Sequence, residues 1–271
     1  MSTTVSAVIA AGGDERSFST HPRNRRQLSE KELERLCHIE DEMASRLEAT
    51  LESRAARVAF VARSGSDLTG LRFEREVPFF THVGIALRKH GAWSVHQLLN
   101  TYSGPLGNLY THSLVEFFRD DPYVYRARVT VPSEPLQERV AEILASSTRE
   151  ALHTTRYSRV SYPFATRYQS CNQWVVEILG AAQSGEGTRE AVQTFLEAQG
   201  LEPSRLHTFG FFGQALGRLV HRNVRLDDHP FRDRVRGLLS FMMPSSVVRY
   251  LRKTDDVKCE TDVSLGTHTS R

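Results

Sequence analysis

The stretch FFTHVGIALRKHGAWSVHQL, residues 79–98, decides the fold prediction because it holds two apolar segments on either side of a short polar break. Residues 79–87 and 93–98 are short and rich in β-branched and aromatic side chains, so they read as two strands. Their connection contains Gly91, a residue that tight turns accept readily. We therefore predict a hairpin, and with it a sheet of antiparallel character.

The two histidines of this hairpin are its chemically active residues. If Leu87 pairs with Trp93, His82 and His96 point to one face as diagonal neighbours, with backbones about 7–8 Å apart. A slip of one residue in this pairing would separate them. Gly84 shares the face of His82, so we expect room there for another element or a substrate to approach the imidazole. The hairpin would thus supply a base and a residue that orients it.

Cys171 begins a predicted helix. Ser170 fits the N-cap position, and Gln173, three residues later, completes a capping box. The unpaired N–H groups and the positive dipole end at a helix start lower the pKa of a thiol, as a nucleophilic cysteine requires. The alternative is a small buried structural residue, which most free cysteines are.

The rest of the chain mixes helices and strands without a regular βαβ alternation, which predicts the α+β class. Helical spacing or capping signals mark residues 29–53, 112–119, 133–147, 171–182 and 188–199. Residues 57–63 and 123–131 read as further strands. Polar composition predicts a flexible arm over residues 1–27, a single domain over residues 28–253 and a disordered tail over residues 254–271.

Composition excludes several classes of protein. The 271 residues carry a formal net charge of +3, which argues against a dedicated nucleic-acid binder. Three cysteines without a C-x-x-C pair argue against a disulfide scaffold and a zinc knuckle. No apolar run approaches the roughly 20 residues of a membrane helix. We expect no cofactor. The oligomeric state and the compartment stay open: cytoplasmic as written, or exported if the start codon is mis-assigned.

Three short motifs carry a family resemblance. THVGI at residues 81–85, the later pair Val95-His96, and SCNQW at residues 170–174 resemble the signature of circularly permuted papain-like proteins. These include lecithin retinol acyltransferase-like enzymes and permuted NlpC-type hydrolases. The resemblance implies a papain-like core with an antiparallel sheet and additional N-terminal and C-terminal helices. It also implies that Cys171 is the nucleophile, His82 the general base and His96 the orienting residue.

A wider resemblance covers roughly residues 55–250. Five segments look like the uncharacterised bacterial family called domain of unknown function 2145: VARSGSDL at 61–68, WSVHQLLN at 93–100, LVEFFRDDPYVY at 114–125, YQSCNQW at 168–174 and DDHP at 227–230. This resemblance implies a bacterial source and a papain-like core, and it brings no known substrate.

Together these observations predict a thiol hydrolase or acyltransferase that acts on an amide or ester. Tyr162, Tyr168 and Trp174 are candidates to line a substrate cleft beside Cys171. The substrate class stays open between a small molecule, a lipid and a peptide. One alternative is a binding or scaffold domain that keeps the fold without turnover. A less favoured alternative is a metal site built from histidine and cysteine side chains.

Overall fold

The structure is a computed structural model that describes residues 29–65, 68, 70–75, 78–101, 104–119, 124–208 and 223–265. The arm predicted over residues 1–27 lies outside the described residues. The helices are α1 (Glu30–Ser53), α2 (Leu114–Arg119), α3 (Glu134–Ala145), α4 (Thr148–Ala151), α5 (Cys171–Ser184), α6 (Arg189–Ala198), α7 (Phe231–Val235) and α8 (Pro244–Lys253). The strands are β1 (Val58–Ser64), β2 (Arg72–Phe73), β3 (His82–Lys89), β4 (Ala92–Asn100), β5 (Gly107–His112), β6 (Val124–Pro132), β7 (Ser204–His207), β8 (Leu238–Phe241) and β9 (Val257–Ser264).

Two antiparallel sheets organise these elements. The larger sheet has six strands in the order β5-β4-β3-β1-β6-β9, and the smaller one has three in the order β2-β7-β8. With α1 before the first strand and α8 near the other end, the α+β class with an antiparallel sheet is confirmed. No helix in the described part of the chain is both long and apolar enough to cross a bilayer.

Helices cover both faces of the larger sheet. Successive strand residues point to opposite faces, so β1 and β3 each feed two separate cores. Phe60 and Ile85 pack with α3, α5, α6 and α8 on one side, which we call the α5 face. Val61 and Ala86 pack with α1 and α2 on the other side, which we call the α1 face. Each side chain of β3 therefore belongs to one of the two cores, and successive residues alternate between them.

The helix starts agree with the capping signals in the sequence. Ser29 and Glu32 form a complete capping box at the start of α1. At the start of α5, the Ser170 hydroxyl accepts a hydrogen bond from the Gln173 backbone amide at 3.2 Å, but the predicted capping box is incomplete because the Gln173 side chain bonds Ser161 and Pro163 instead of Ser170. Gly185 ends α5 with φ at 77°, a left-handed conformation that glycine adopts without steric cost. The local sequence thus places Cys171 at the first position of a helix held at both ends.

The predicted disordered tail over residues 254–271 is wrong for its first part. Val257–Ser264 form β9, which pairs with β6 at the edge of the larger sheet. Polar residues dominate this strand because its outward side is solvated, and Asp262 pairs with Arg126 and Arg128 at 3.0 and 2.7 Å. Edge strands are often charged, since charge discourages pairing with other chains. Composition alone therefore made a strand resemble a tail.

The predicted hairpin register is also wrong, by one residue. β3 and β4 are joined by a two-residue turn at His90 and Gly91, with φ of 51° and 82°. Two positive φ angles are typical of a type I′ turn, whose twist matches that of the strands it joins. The turn sets Ile85 opposite His96, whereas the expected longer loop set Gly84 there. Because strand side chains alternate, His96 and His82 lie on opposite faces of the sheet.

The β9 strand gives a direct stability test. Val263 is buried on the α1 face, so Val263→Asp should lower the free energy of unfolding by roughly 2 to 4 kcal/mol through burial of a charge. Ser264→Asp, at an exposed neighbouring position, is the matched control and should change it by less than about 0.5 kcal/mol. Urea denaturation measures both. Equal stabilities of the two variants would contradict a folded β9.

Candidate functional site

The start of α5 completes the edge of β3. The β3–β4 ladder ends at Ile85 and His96. Beyond that point the Val83 amide donates to Oδ1 of Asn172 at 3.0 Å, and Nδ2 of Asn172 donates to the carbonyl of Thr81, also at 3.0 Å. Nδ2 donates to the Met242 carbonyl as well, at 3.0 Å. One buried amide thus takes the place of a strand partner and fixes α5 against the sheet.

Cys171, next to Asn172, is half-buried as a residue, and its thiol group is desolvated. The Tyr157 hydroxyl donates to Sγ at 4.0 Å, and the thiol donates to Oδ1 of Asn172 at 3.7 Å. Burial raises the pKa of this thiol, and it outweighs the Tyr157 hydrogen bond and the charges of Arg159 and Arg63, which lower it. The thiol is therefore protonated at neutral pH in this arrangement. The backbone N–H of Asn172 at the helix start lowers this pKa as the sequence led us to expect, but burial has the larger effect and the net shift is upward.

A chain of buried side chains holds His82. Nε2 of His82 donates to Oε1 of Gln97 at 2.7 Å, and Nε2 of Gln97 donates to Nδ1 of His112 at 2.9 Å. An amide oxygen only accepts and an amide nitrogen only donates, so this orientation fixes the proton of His82 on Nε2. The lone pair of His82 is then on Nδ1. All three residues are buried.

These hydrogen-bonded side chains lie on the α1 face of the sheet, away from α5. The His82 ring is 6.0 Å from the Phe117 ring, and the Arg63 guanidinium lies 5.2 Å from the same ring. The expected open space above Gly84 is filled, since a Cβ there would lie 2.6 Å from Cγ1 of Val95. Phe117 and Val95 both belong to the core of the α1 face. The small neighbours of His82 therefore accommodate core side chains.

The structure places His82 and His96 on opposite faces of the larger sheet. Cys171 packs against the core of the α5 face, whereas His82 points to the α1 face. Among the described residues, the hydrogen bonds of the thiol are with Tyr157 and Asn172. The one-residue shift of the hairpin separates the two histidines, because it turns His96 to the α5 face while His82 stays on the α1 face.

His96 has a separate environment on the α5 face. Its Nδ1 is 3.3 Å from the Thr111 hydroxyl. Burial and the nearby charges of Arg149 and Lys89 lower the pKa of His96 to about 4. The neutral imidazole is therefore the stable form at neutral pH. The place beside His82 that we expected His96 to occupy belongs to Gln97, which directly follows it in the sequence.

The three aromatic residues predicted near a cleft have different positions. Trp174 is fully buried in the core of the α5 face. The Tyr168 ring contacts two guanidinium groups, those of Arg156 and Arg167, at 5.6 and 5.5 Å. Tyr162 lines a cavity of about 500 Å³. Of the three, Tyr162 is the residue whose surroundings suit a ligand.

A buried carboxylate that the sequence analysis missed holds the segment before α5. Glu177 forms an ion pair with Arg189 at 2.9 Å and accepts from the Gln193 amide at 2.6 Å. Arg189 in turn donates to the carbonyls of Thr166 and Tyr168, at 2.6 and 2.9 Å. The signal in the sequence that could have revealed this network is Glu177 itself, a single acidic residue on an otherwise apolar helix. This network holds α5, α6 and the aromatic segment before α5, residues 157–169, together.

The DDHP motif at residues 227–230 anchors the same aromatic segment. Oδ2 of Asp228 accepts from the Tyr162 amide at 2.9 Å, and Nε2 of His229 donates to the Val160 carbonyl at 2.7 Å. Burial raises the pKa of Asp228 and lowers that of His229. Within the described residues, no three His, Cys, Asp or Glu side chains are grouped as metal ligands.

Comparison with known proteins assigns a family. Residues 50–251 match the family described as an uncharacterised protein conserved in bacteria, domain of unknown function 2145. Neither the curated proteins nor the solved structures contain a match.

The Asn172 amide gives a test of how α5 is held. Asn172→Ala leaves the Val83 amide and the Thr81 and Met242 carbonyls without this partner, so we expect a loss of about 2 kcal/mol or more in unfolding free energy. Gln199→Ala, which removes an exposed amide, should change it by less than about 0.5 kcal/mol. Urea denaturation compares them, and an unchanged Asn172→Ala would contradict the described contacts.

His96 predicts an acid-dependent loss of stability. Its folded pKa of about 4 is below that of an unfolded histidine, about 6.5, so the unfolded chain binds the proton first as pH falls. Stability should decrease between pH 6.5 and 4, by up to about 3 kcal/mol from this residue. His96→Gln should remove that part of the slope, whereas His38→Gln, at an exposed site, should not. Denaturation at several pH values measures it, and identical slopes would contradict the burial of a neutral His96.

Proposed function

The chain belongs to this bacterial family of uncharacterised proteins, and we propose that it is a thiol-dependent hydrolase or acyltransferase acting on an amide or ester. The position of Cys171 carries the proposal. Cys171 is the first residue of α5, it is half-buried, and its Sγ is held between the Tyr157 hydroxyl and Asn172. A nucleophile needs a fixed position, and these two hydrogen bonds provide it.

The reaction follows from thiol chemistry. Sγ of Cys171 attacks the carbonyl carbon, a carbon–sulfur bond forms, and the thiol proton passes through a base to the leaving amine or alcohol. Water or another acceptor then attacks the acyl-enzyme and regenerates the thiol. Backbone N–H groups in the first turn of α5 have no partner within the helix, so they suit the developing oxyanion.

His82 is the base that we assign, with Gln97 as its positioning residue. The Gln97 hydrogen bond holds the tautomer whose lone pair is on Nδ1. The contacts of Arg63 support a position of His82 near Cys171. The charge of Arg63 lowers the pKa of Cys171, and its guanidinium lies over the same Phe117 ring that His82 contacts. We assign the proton transfer to the end of β3, where Asn172 replaces the strand partner, by way of a water between Sγ and Nδ1 of His82. The order of base, positioning residue and nucleophile along the chain is that of permuted papain-like proteins.

A second function is favoured by one observation, the raised pKa of the Cys171 thiol. A protonated thiol separated by β3 from His82 suits a binding or scaffold domain that has the fold without turnover. In that case Cys171 is a structural residue of the α5 start. The two functions differ in whether His82 changes the reactivity of the thiol.

Labelling with an acyl-type activity-based probe tests the enzyme. The wild type should react, and Cys171→Ala should lose at least about tenfold of the labelling, because the nucleophile is absent. Cys37→Ser and Cys259→Ser are matched controls that remove the other two cysteines and should label as the wild type does. Equal labelling of wild type and Cys171→Ala would contradict the proposal.

The pH dependence of alkylation separates the two functions. In the binding domain, iodoacetamide should react with Cys171 only as pH rises above the usual thiol range, since burial raises the pKa and the thiolate is the reactive form. In the enzyme, a second reactive phase near neutral pH should depend on His82 and disappear in His82→Gln. His38→Gln is the exposed control. A single high-pH phase that His82→Gln leaves unchanged would support the binding domain.

A further inference from the structure

The cavity lined by Tyr162 lies away from the thiol, beside the smaller sheet. Its volume is about 500 Å³, and its walls come from β2, β7, β8, the aromatic segment before α5, and the ends of α6 and α7. Gln173 in the first turn of α5 donates to the Tyr162 carbonyl at 3.4 Å, while Asp228 accepts from the Tyr162 amide. Tyr162 is therefore held by its backbone from two sides, and its ring has a fixed position in the cavity wall.

Two aromatic rings form a corner of this cavity. The rings of Tyr162 and Phe164 are 5.9 Å apart and nearly perpendicular, at 81°. Both residues are partly exposed and line the cavity. Perpendicular rings present two π faces or edges to one space, an arrangement that recognises alkylammonium groups through the negative potential of the ring faces.

Two carboxylates beside this corner have no partner. Glu197 and Asp233 also line the cavity, and among the described residues neither side chain forms a hydrogen bond or an ion pair. They are close enough to Tyr162 that both raise the pKa of its hydroxyl, after burial, which is the larger cause. The charge of Arg205 acts in the opposite direction, so among the described residues two carboxylates and one arginine act on the Tyr162 hydroxyl.

The arginines of the cavity are engaged elsewhere. Arg75 pairs with Glu202 at 2.6 Å, and Arg205 lies 3.6 Å from Glu74. Arg249 donates to the Glu202 carbonyl and the Ser246 hydroxyl at 3.3 and 3.1 Å. Arg75 and Arg205 face carboxylates, whereas these two hydrogen bonds of Arg249 go to neutral groups, so the four carboxylates that line the cavity exceed its three arginines by one. On the other side of Tyr162, His229 is 5.5 Å away and is neutral, since burial lowers its pKa.

We propose that this cavity binds an organic ammonium group, seated between the rings of Tyr162 and Phe164 and balanced by the carboxylates of Glu197 and Asp233. The rings provide cation–π attraction, and the carboxylates provide charge complementarity that an uncharged ligand of the same shape does not use. The site is separate from the thiol chemistry and does not depend on it.

Calorimetric titration of the full chain with choline, and with its uncharged isostere 3,3-dimethylbutan-1-ol, tests the site. Both ligands have the same shape, so the difference between them measures the contribution of the charge. We expect choline to bind at least about fivefold more tightly than the isostere, a ratio in the range of one cation–π contact. Absence of choline binding, or equal binding of the two ligands, would overturn the proposal.

Substitutions locate the binding. Tyr162→Leu should weaken choline binding at least about fivefold, because the apolar side chain remains but the π face is lost, whereas Tyr162→Phe should keep it. Glu197→Gln changes an exposed residue and should weaken binding without affecting the fold; Glu186→Gln, also exposed, is its control. If choline affinity is unchanged in both Tyr162→Leu and Glu197→Gln, choline binds elsewhere on the protein and the proposed site is wrong.

Discussion

The buried ion pair between Glu177 and Arg189 is the interaction on which the candidate sites depend. It joins α5 to α6, and through the carbonyls of Thr166 and Tyr168 it also fixes the aromatic segment that precedes α5. Removing one partner of such a buried pair costs about 3–5 kcal/mol, because the other charge is left uncompensated. The position of Cys171 at one end of α5 and the position of Tyr162 above it both follow from this pair.

Local signals in the sequence were sufficient for α1, α2, α3, α5 and α6, whereas spacing and capping signals assigned no helix at α4, α7 or α8. Ser29 and Ser170 occupy the N-cap positions that their spacing to Glu32 and Gln173 predicts, because a cap involves only residues three apart. The strand β9 shows the limit of composition. Its polar residues resemble a tail until Arg126 and Arg128 of another strand are brought beside Asp262, and no local rule contains that neighbour.

The candidate site was harder to predict, since it depends on register and on contacts distant in sequence. His90 adopts a positive φ that is uncommon for a residue other than glycine, so the two-residue turn has a weaker sequence signal than Asn-Gly would give. That turn exchanges His96 for Gln97 as the neighbour of His82. The contact of Asn172 with Thr81 and Val83 joins residues about ninety positions apart, beyond any periodicity in the chain.

The pairing of β9 with β6 also bears on how the chain folds during synthesis. Val131 lies opposite Cys259, and Arg46 of α1 donates to the Ser264 carbonyl at 2.9 Å. Segments that are synthesised early therefore contact one that is synthesised late. Until residue 264 has left the ribosome, the edge of β6 that pairs with β9 has no partner strand, and the side of α1 that contacts β9 is uncovered. Long-range pairings of this kind raise contact order and slow folding. The nascent chain therefore exposes a strand edge that is open to aggregation.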